Sequence, residues 1–132
     1  MNRMFYPSVF HSAEEGGYWV SFPDFPECLT EGDTIEQSYE MAVDALGLAI
    51  TSRSEEKEEI PDPSPLDTIV VDADSFLVII EFDYLAYKKR TNSRAVKKTL
   101  SIPEWLNQAA TEEGINFSQV LQDALKEKLH VE

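Results

Sequence analysis

The segment from Ala95 to Ile102 constrains this 132-residue chain more than any other. It alternates: Val96, Leu100 and Ile102 fall on one side, Lys97, Thr99 and Ser101 on the other, and Lys98 alone interrupts the apolar side. That is the period of a strand. Pro103 then suits the first turn of a helix, where its missing N–H removes no bond. Leu106, Ala109 and Ala110 give that helix a small apolar face, and Gly114 is placed to end it, with Ile115 available for the accompanying hydrophobic contact. Asn116 caps a second helix, with Gln119 at its third position, and Phe117, Val120, Leu121, Ala124, Leu125 and Leu129 form a stripe along it. One short strand and two short helices cannot bury these surfaces alone. The economical solution is a dimer in which two copies of the strand pair as an antiparallel ribbon. Such a ribbon fits the major groove of DNA, with its outward side chains at base edges.

Charge divides the chain in the same place. Residues 1–85 carry three basic and 19 acidic residues, a net of −16, and residues 86–132 carry eight basic and six acidic ones, a net of +2. Between Lys88 and Lys98 lie Lys88, Lys89, Arg90, Arg94, Lys97 and Lys98 with no acid among them. This asymmetry implies two segments with different partners. A lone cysteine, Cys28, excludes an intramolecular disulfide and reads as a small strand residue. The N-terminus lacks a long apolar stretch, so the expectation is a cytoplasmic protein with no signal peptide and no membrane segment.

Hydrophobic content of 42% supports a real core. Met4 to Phe10 reads as a strand, with Pro7 placing it at an edge or beside a bulge. Glu14 to Gly17 is turn chemistry, and Tyr18 to Phe22 completes a hairpin. After the break at Pro23–Pro26, a short strand runs around Cys28 to Thr30. Asp33 or Thr34 can cap a helix, with Glu36 or Gln37 as the capping-box partner; Ile35, Tyr39, Ala42, Val43, Leu46, Ala49 and Ile50 then give one apolar face over about four turns. Ser54 to Pro65 reads as a linker or surface loop, and Thr68–Val71 and Phe76–Phe82 as β-rich. Phe76 to Ile80 is apolar on both faces, which predicts a central strand covered on both sides.

The C-terminal residues Val-Lys-Lys-Thr-Leu-Ser-Ile-Pro-Glu-Trp-Leu (96–106), followed by Gly-Ile-Asn-Phe-Ser (114–118) and Leu121, resemble the ribbon-helix-helix repressor superfamily. The resemblance implies that Lys97, Thr99 and Ser101 read bases and that Asn116, Phe117 and Ser118 meet phosphate. A helix N-terminus suits an anion there, and Arg94 and Lys98 are further DNA-binding candidates. Two alternatives stand beside this. Ser101 and Glu104 also match a capping box, which would take Ser101 out of the groove, and the unit could be an intertwined dimer that binds no DNA.

In the N-terminal half, Tyr18-Trp19-Val20-Ser21-Phe22-Pro23-Asp24-Phe25-Pro26-Glu27-Cys28 and then Thr30-Glu31-Gly32-Asp33-Thr34 resemble the HicB antitoxin family. The family often has glycine where Glu27 stands, and the stretch 54–75 has no assigned counterpart. With the C-terminal unit, the resemblance covers nearly the whole chain. It implies an α+β chain: a partial ribonuclease-H-like domain (1–85), a linker (86–93) and a ribbon-helix-helix domain (94–132). It implies an antitoxin that binds a HicA-type toxin, a small basic ribonuclease, and represses their shared operon as a dimer or tetramer on operator DNA.

A ribonuclease-H-like fold raises the question of catalysis, since such nucleases hold two metals with several carboxylates. Asp24, Glu27, Glu31 and Asp33 cluster in sequence but stand in loops and turns without a recognisable metal spacing. His11 and His130 lie far apart and read as solvated. The expectation is therefore a binding protein rather than an enzyme, with no metal and no cofactor. Its acidic domain would attract a basic partner. Candidate toxin contacts are Trp19, Phe22, Asp24, Phe25 and Glu31, with Trp19 or Phe25 as anchors or, equally, as core. A transcription regulator whose acidic domain oligomerises or senses a ligand, and a metal-dependent nuclease, remain as the other readings.

Overall fold

A computed structural model describes residues 3–131. It resolves into two compact units, 1–94 and 95–132.

The N-terminal unit is a four-stranded antiparallel sheet in the order β3-β2-β1-β4, built from β1 (Arg3–Ser12), β2 (Tyr18–Phe22), β3 (Phe25–Gly32) and β4 (Ser75–Asp83). A 21-residue helix, α1 (Ile35–Glu55), covers one face. Its start follows the capping logic: Thr34 Oγ1 accepts the Gln37 N–H at 3.0 Å, and Gln37 Oε1 accepts the Asp33 N–H at 2.6 Å. Strand alternation then sorts the side chains. Tyr6 and Phe10 of β1, Val20 and Phe22 of β2, Phe25 and Cys28 of β3, and Ile80 and Phe82 of β4 meet Ala42, Leu46, Ala49 and Ile50 of α1 in one buried cluster. The intervening residues, among them His11, Trp19, Ser21, Leu29, Glu31, Leu77 and Ile79, face the other way.

Three expectations change. The run Phe76 to Ile80 is not central: β4 lies at the sheet edge, paired with β1 alone, and Ile79 is 38% exposed. Its apolar face away from α1 is therefore partly open. Pro7 sits in β1, an interior strand, but the β1–β2 ladder covers only Val9 to Ser12. Pro7 lies beyond its end, so the missing N–H removes no bond there. Thr68–Val71 forms no strand; a 3-10 turn, Leu66–Thr68, and irregular chain stand there. Loop 56–74 is pinned instead by side chains, with the Tyr6 hydroxyl donating to Pro61 O at 2.5 Å and Ser64 donating to Asp24 through both its N–H and its hydroxyl.

The stretch expected as a linker, 86–93, is helical as far as Thr91. Asp83 caps α2 (Tyr84–Thr91) by accepting the Ala86 N–H at 3.0 Å. Tyr87 and Tyr84 pack against Phe82, and the Tyr87 ring lies on Gly47 of α1 so closely that any Cβ there would collide with it. Arg90 pairs with Asp44 at 2.6 Å.

The C-terminal unit holds α3 (Glu104–Glu112) and α4 (Phe117–Leu129). Gly114, at φ +70°, ends α3: its N–H donates to Thr111 O at 3.0 Å and the Ile115 N–H to Ala110 O at 3.1 Å. This is the paired closure that a left-handed glycine allows. Asn116 Oδ1 accepts the Gln119 N–H at 3.0 Å, as the sequence predicts. Residues 92–103 belong to no helix or strand within the single chain.

Candidate functional site

Two surfaces carry the candidate residues, one in each unit. In the N-terminal unit the open face of the sheet bears a cross-strand row. Register places Glu31 of β3 opposite Trp19 of β2, Trp19 opposite His11 of β1, and His11 opposite Ser75 of β4. The His11 and Trp19 rings stack at 3.6 Å and 11°. The imidazole is held at both nitrogens, Nε2 by the Ser21 hydroxyl at 2.9 Å and Nδ1 by the Ser75 hydroxyl at 3.0 Å. Burial holds His11 below its ordinary 6.5, with Asp72 pulling in the opposite direction. A groove of about 400 Å³ opens beside this row, lined by Val9, His11, Ser21 and Pro23 and walled by the loop residues Ser64, Thr68 and Val70–Asp72.

The expected toxin contacts divide on this geometry. Trp19, 43% exposed, and Glu31 lie on the open face. Phe22 and Phe25 do not: at 3% and 0% exposure they belong to the core, because β2 and β3 turn them toward α1. Phe25 is thus corrected to a core residue with no surface to offer, and Phe22 to a core residue that also lines the groove. Asp24 is committed to Ser64 and anchors the loop that walls the groove. His11, expected in solvent, instead sits half-buried in a strand. Its place follows from the pairing of β1 with β2, which the hairpin turn at 13–17 sets, and with β4, which brings Ser75 to Nδ1.

The acidic residues near it do not converge. Glu27 forms a two-point ion pair with Arg53, at 2.7 and 2.8 Å, which holds its carboxyl below the usual range. Arg53 also lies over the Phe25 ring at 4.8 Å and donates to Glu59 O, so this contact ties the end of α1 to β3. Among the described residues no group of three or more His, Cys, Asp or Glu side chains is placed to hold a metal ion. Burial, followed by the charge of Glu27, pushes the Cys28 thiol up to about 11. Among the described residues no helix is long and apolar enough to cross a membrane.

The C-terminal surface is of another kind. Lys97, Lys98, Thr99 and Ser101 are all exposed on the extended segment, and Arg94 precedes them at the end of the first unit. The basic run is thus split, with Lys88, Lys89 and Arg90 on α2. Counted by compact unit, the first has seven basic and 19 acidic residues and the second four basic and six acidic, net −12 and −2. Segment 95–102 itself carries only positive charge, and the six acids lie on the helices and beyond. Ser101 makes no cap: α3 begins behind Pro103 with no side-chain hydrogen bond. At the start of α4, Asn116 is used as the cap, Ser118 Oγ accepts from Gln122, and Phe117 is 42% exposed. Neither α3 nor α4 buries a residue. Val96, Leu100, Ile102, Trp105, Leu106, Ile115, Phe117, Val120, Leu125 and Leu129 all stand between 40% and 78% exposed.

Comparison with known proteins bears on both surfaces. The family described as HicB-like antitoxin of bacterial toxin-antitoxin systems matches residues 6–124. Antitoxin HicB 1 of Photorhabdus laumondii is 50% identical over 72 residues, 54% of this chain and 46% of its own length. Antitoxin HicB of Escherichia coli K12 is 49% identical over 65 residues, 49% of this chain and 47% of its own length. The chain thus spans about half the length of the curated relatives it matches. Among solved structures, a toxin-antitoxin complex from Streptococcus pneumoniae contains a chain 28% identical, with a TM-score of 0.59 over 96% of this chain and 99% of that one.

Proposed function

Because the chain belongs to the HicB-like antitoxins of bacterial toxin-antitoxin systems, a family that acts by binding and not by catalysis, we propose that it neutralises a HicA-type toxin through its N-terminal unit and represses its own operon through its C-terminal unit. On this reading the N-terminal unit is the partial ribonuclease-H-like domain of the family and spans about residues 1–85. The C-terminal unit, from about Arg94, is a ribbon-helix-helix dimer on operator DNA.

One observation carries the second half of the proposal. The C-terminal unit has its turns and its second cap complete, yet it leaves ten large apolar side chains in water and buries none. Helices this short are not stable on their own. A second copy supplies what is missing: its segment 95–102 completes a two-stranded ribbon, and its α3 and α4 cover the apolar face. The ribbon then brings Lys97 from both copies to its outer face, with Arg94 and Lys98 beside it in the chain, so that a nearly neutral unit presents a basic segment to DNA. Lys97, Thr99 and Ser101 face outward as readers of bases. Asn116, Phe117 and Ser118 open α4, where free N–H groups favour a phosphate.

The N-terminal unit, at net −12, suits a basic toxin for the same electrostatic reason. Co-expression of this chain with a HicA-type toxin tests this half: growth is rescued and the two proteins co-purify. No rescue and no complex would sink the antitoxin reading. For the DNA half, Lys97→Ala lowers the preference for the operator over random DNA, whereas loss of a phosphate contact such as Lys98 weakens all sequences and reduces the salt slope by about one unit. An unchanged operator preference would remove Lys97 from the readout.

A further inference from the structure

Trp19 is 43% exposed, and the His11 ring lies stacked beneath it at 3.6 Å. The stack on His11 would hold it loosely if the imidazole could turn. It cannot turn freely, because hydroxyls from strands on either side of β1 hold both of its nitrogens. An indole immobilised before binding loses little entropy when a partner arrives. His11 covers one face of the ring, and the neighbour across the strands on the other side is Glu31. Glu31 has no ion-pair partner among the described residues; the three ion pairs there use Glu27, Asp44 and Glu81. No lysine or arginine lines the adjacent groove, while Asp72 does, and Asp24 holds its wall.

An aromatic face beside an unpaired carboxylate is a receptor for a cation. Resting on the reading that this unit holds a basic toxin, we propose that the Glu31–Trp19–His11 row is where the toxin docks, and that the outer face of Trp19 receives one of its arginine or lysine side chains with Glu31 as counter-ion. His11 is a positioning residue in this scheme. A second copy of this chain fits the same surface poorly. Two-fold pairing would bring Glu31 and Asp72 of one copy against the same acids of the other.

The test uses the full chain and a HicA-type toxin, a small basic protein. Trp19→Ala weakens the complex about thirtyfold, as expected for an aromatic anchor at the centre of an interface. Glu31→Gln weakens it about fivefold and flattens its salt dependence. His11→Ala weakens it as well, and His11→Phe, which restores a ring beneath the indole, recovers most of the loss. In a Trp105→Phe background Trp19 is the sole tryptophan, and its emission shifts when the basic protein is added. Trp19→Phe and far-UV circular dichroism control for folding. If the wild type binds while Trp19→Ala and Glu31→Gln bind equally well and the emission stays constant, the toxin docks elsewhere and the antitoxin reading survives. If the wild type itself does not bind, that reading falls and takes this inference with it. A Trp19→Ala chain that changes its self-association but not its toxin affinity would give the face to a second copy, and the inference would be wrong.

Discussion

The N-terminal unit draws two core side chains from each of its four strands and four from α1, whereas the C-terminal unit closes none over its two helices. Local signals do not account for the difference. The C-terminal helices carry a glycine closure and an asparagine cap as well formed as anything in the N-terminal unit. What they lack is a second layer, since a domain needs two apolar surfaces facing each other. The sheet and α1 provide both within one chain. The C-terminal apolar stripe has nothing in its own unit to face; under the proposed ribbon dimer, its fold and its assembly would be one event.

The largest effect should come from breaking that assembly. Leu125 is 52% exposed in the single chain, and a charge at a true surface position changes stability by no more than about 0.5 kcal/mol. If a second copy buries it, Leu125→Asp places an unpaired carboxylate in the interface twice per dimer, on the order of 5 kcal/mol. We expect loss of the dimer by sedimentation and of about two helices by circular dichroism, with the N-terminal unit intact. The mirror experiment is Phe82→Ala, which removes a fully buried ring from the other core at about 3–5 kcal/mol. It should lower the N-terminal transition while leaving the dimer's concentration dependence unchanged. Leu125→Asp behaving as a neutral surface change would break the comparison.

Much of the first unit was legible because its signals are local. The hairpin, the Thr34–Gln37 cap and the apolar face of α1 rest on residues within a few positions of one another. So do Gly114 and Asn116. The errors come from long-range facts. Strand order decides that Phe76 to Ile80 lies at an edge, and no apolar run contains its own neighbour. Phe22 and Phe25 lie in the stretch that resembles the antitoxin family and so read as toxin contacts, but pleat direction sends them inward. Residues 86–93 are polar enough to pass for a linker, but Gly47, about 40 positions earlier, makes a seat for Tyr87. The His11 platform depends on three strands at once.

That seat gives a middle-sized prediction. Gly47→Ala forces a methyl group into the Tyr87 ring, an overpacking of about 1–3 kcal/mol. Because α2 also holds Arg90 against Asp44, its displacement should speed hydrogen exchange and proteolysis at residues 84–93, with the sheet protected. Equal protection in variant and wild type would mean that α2 tolerates the shift.

Acid should separate the units in a graded way. His11 is held below 6.5 by burial, so the unfolded chain takes up a proton before the folded one does. The N-terminal unit therefore loses stability as pH falls below about 6.5. Glu27 is held below 4.5, chiefly by the Arg53 hydrogen bond. The folded carboxylate stays ionised where the unfolded one is protonated, so a second loss begins below 4.5. Urea midpoints between pH 7.5 and 3.5 should show both steps, and His11→Phe should remove the upper one alone. A wild-type midpoint that is flat between pH 7.5 and 5.5 would contradict the first.

The smallest effect decides a question the sequence leaves open. Ser101 could cap α3 with Glu104, or it could lie outward on the ribbon; one hydroxyl does not do both. In the structure α3 starts behind Pro103 without any side-chain cap. Removal of a working serine cap costs about 1 kcal/mol. If the ribbon reading is right, Ser101→Ala leaves the C-terminal transition within about 0.5 kcal/mol of wild type and weakens only binding to the operator. A loss near 1 kcal/mol with unchanged operator affinity would return Ser101 to α3. The readers of DNA would then be Lys97 and Thr99 alone, and the outer face of the ribbon one residue shorter than its alternation suggests.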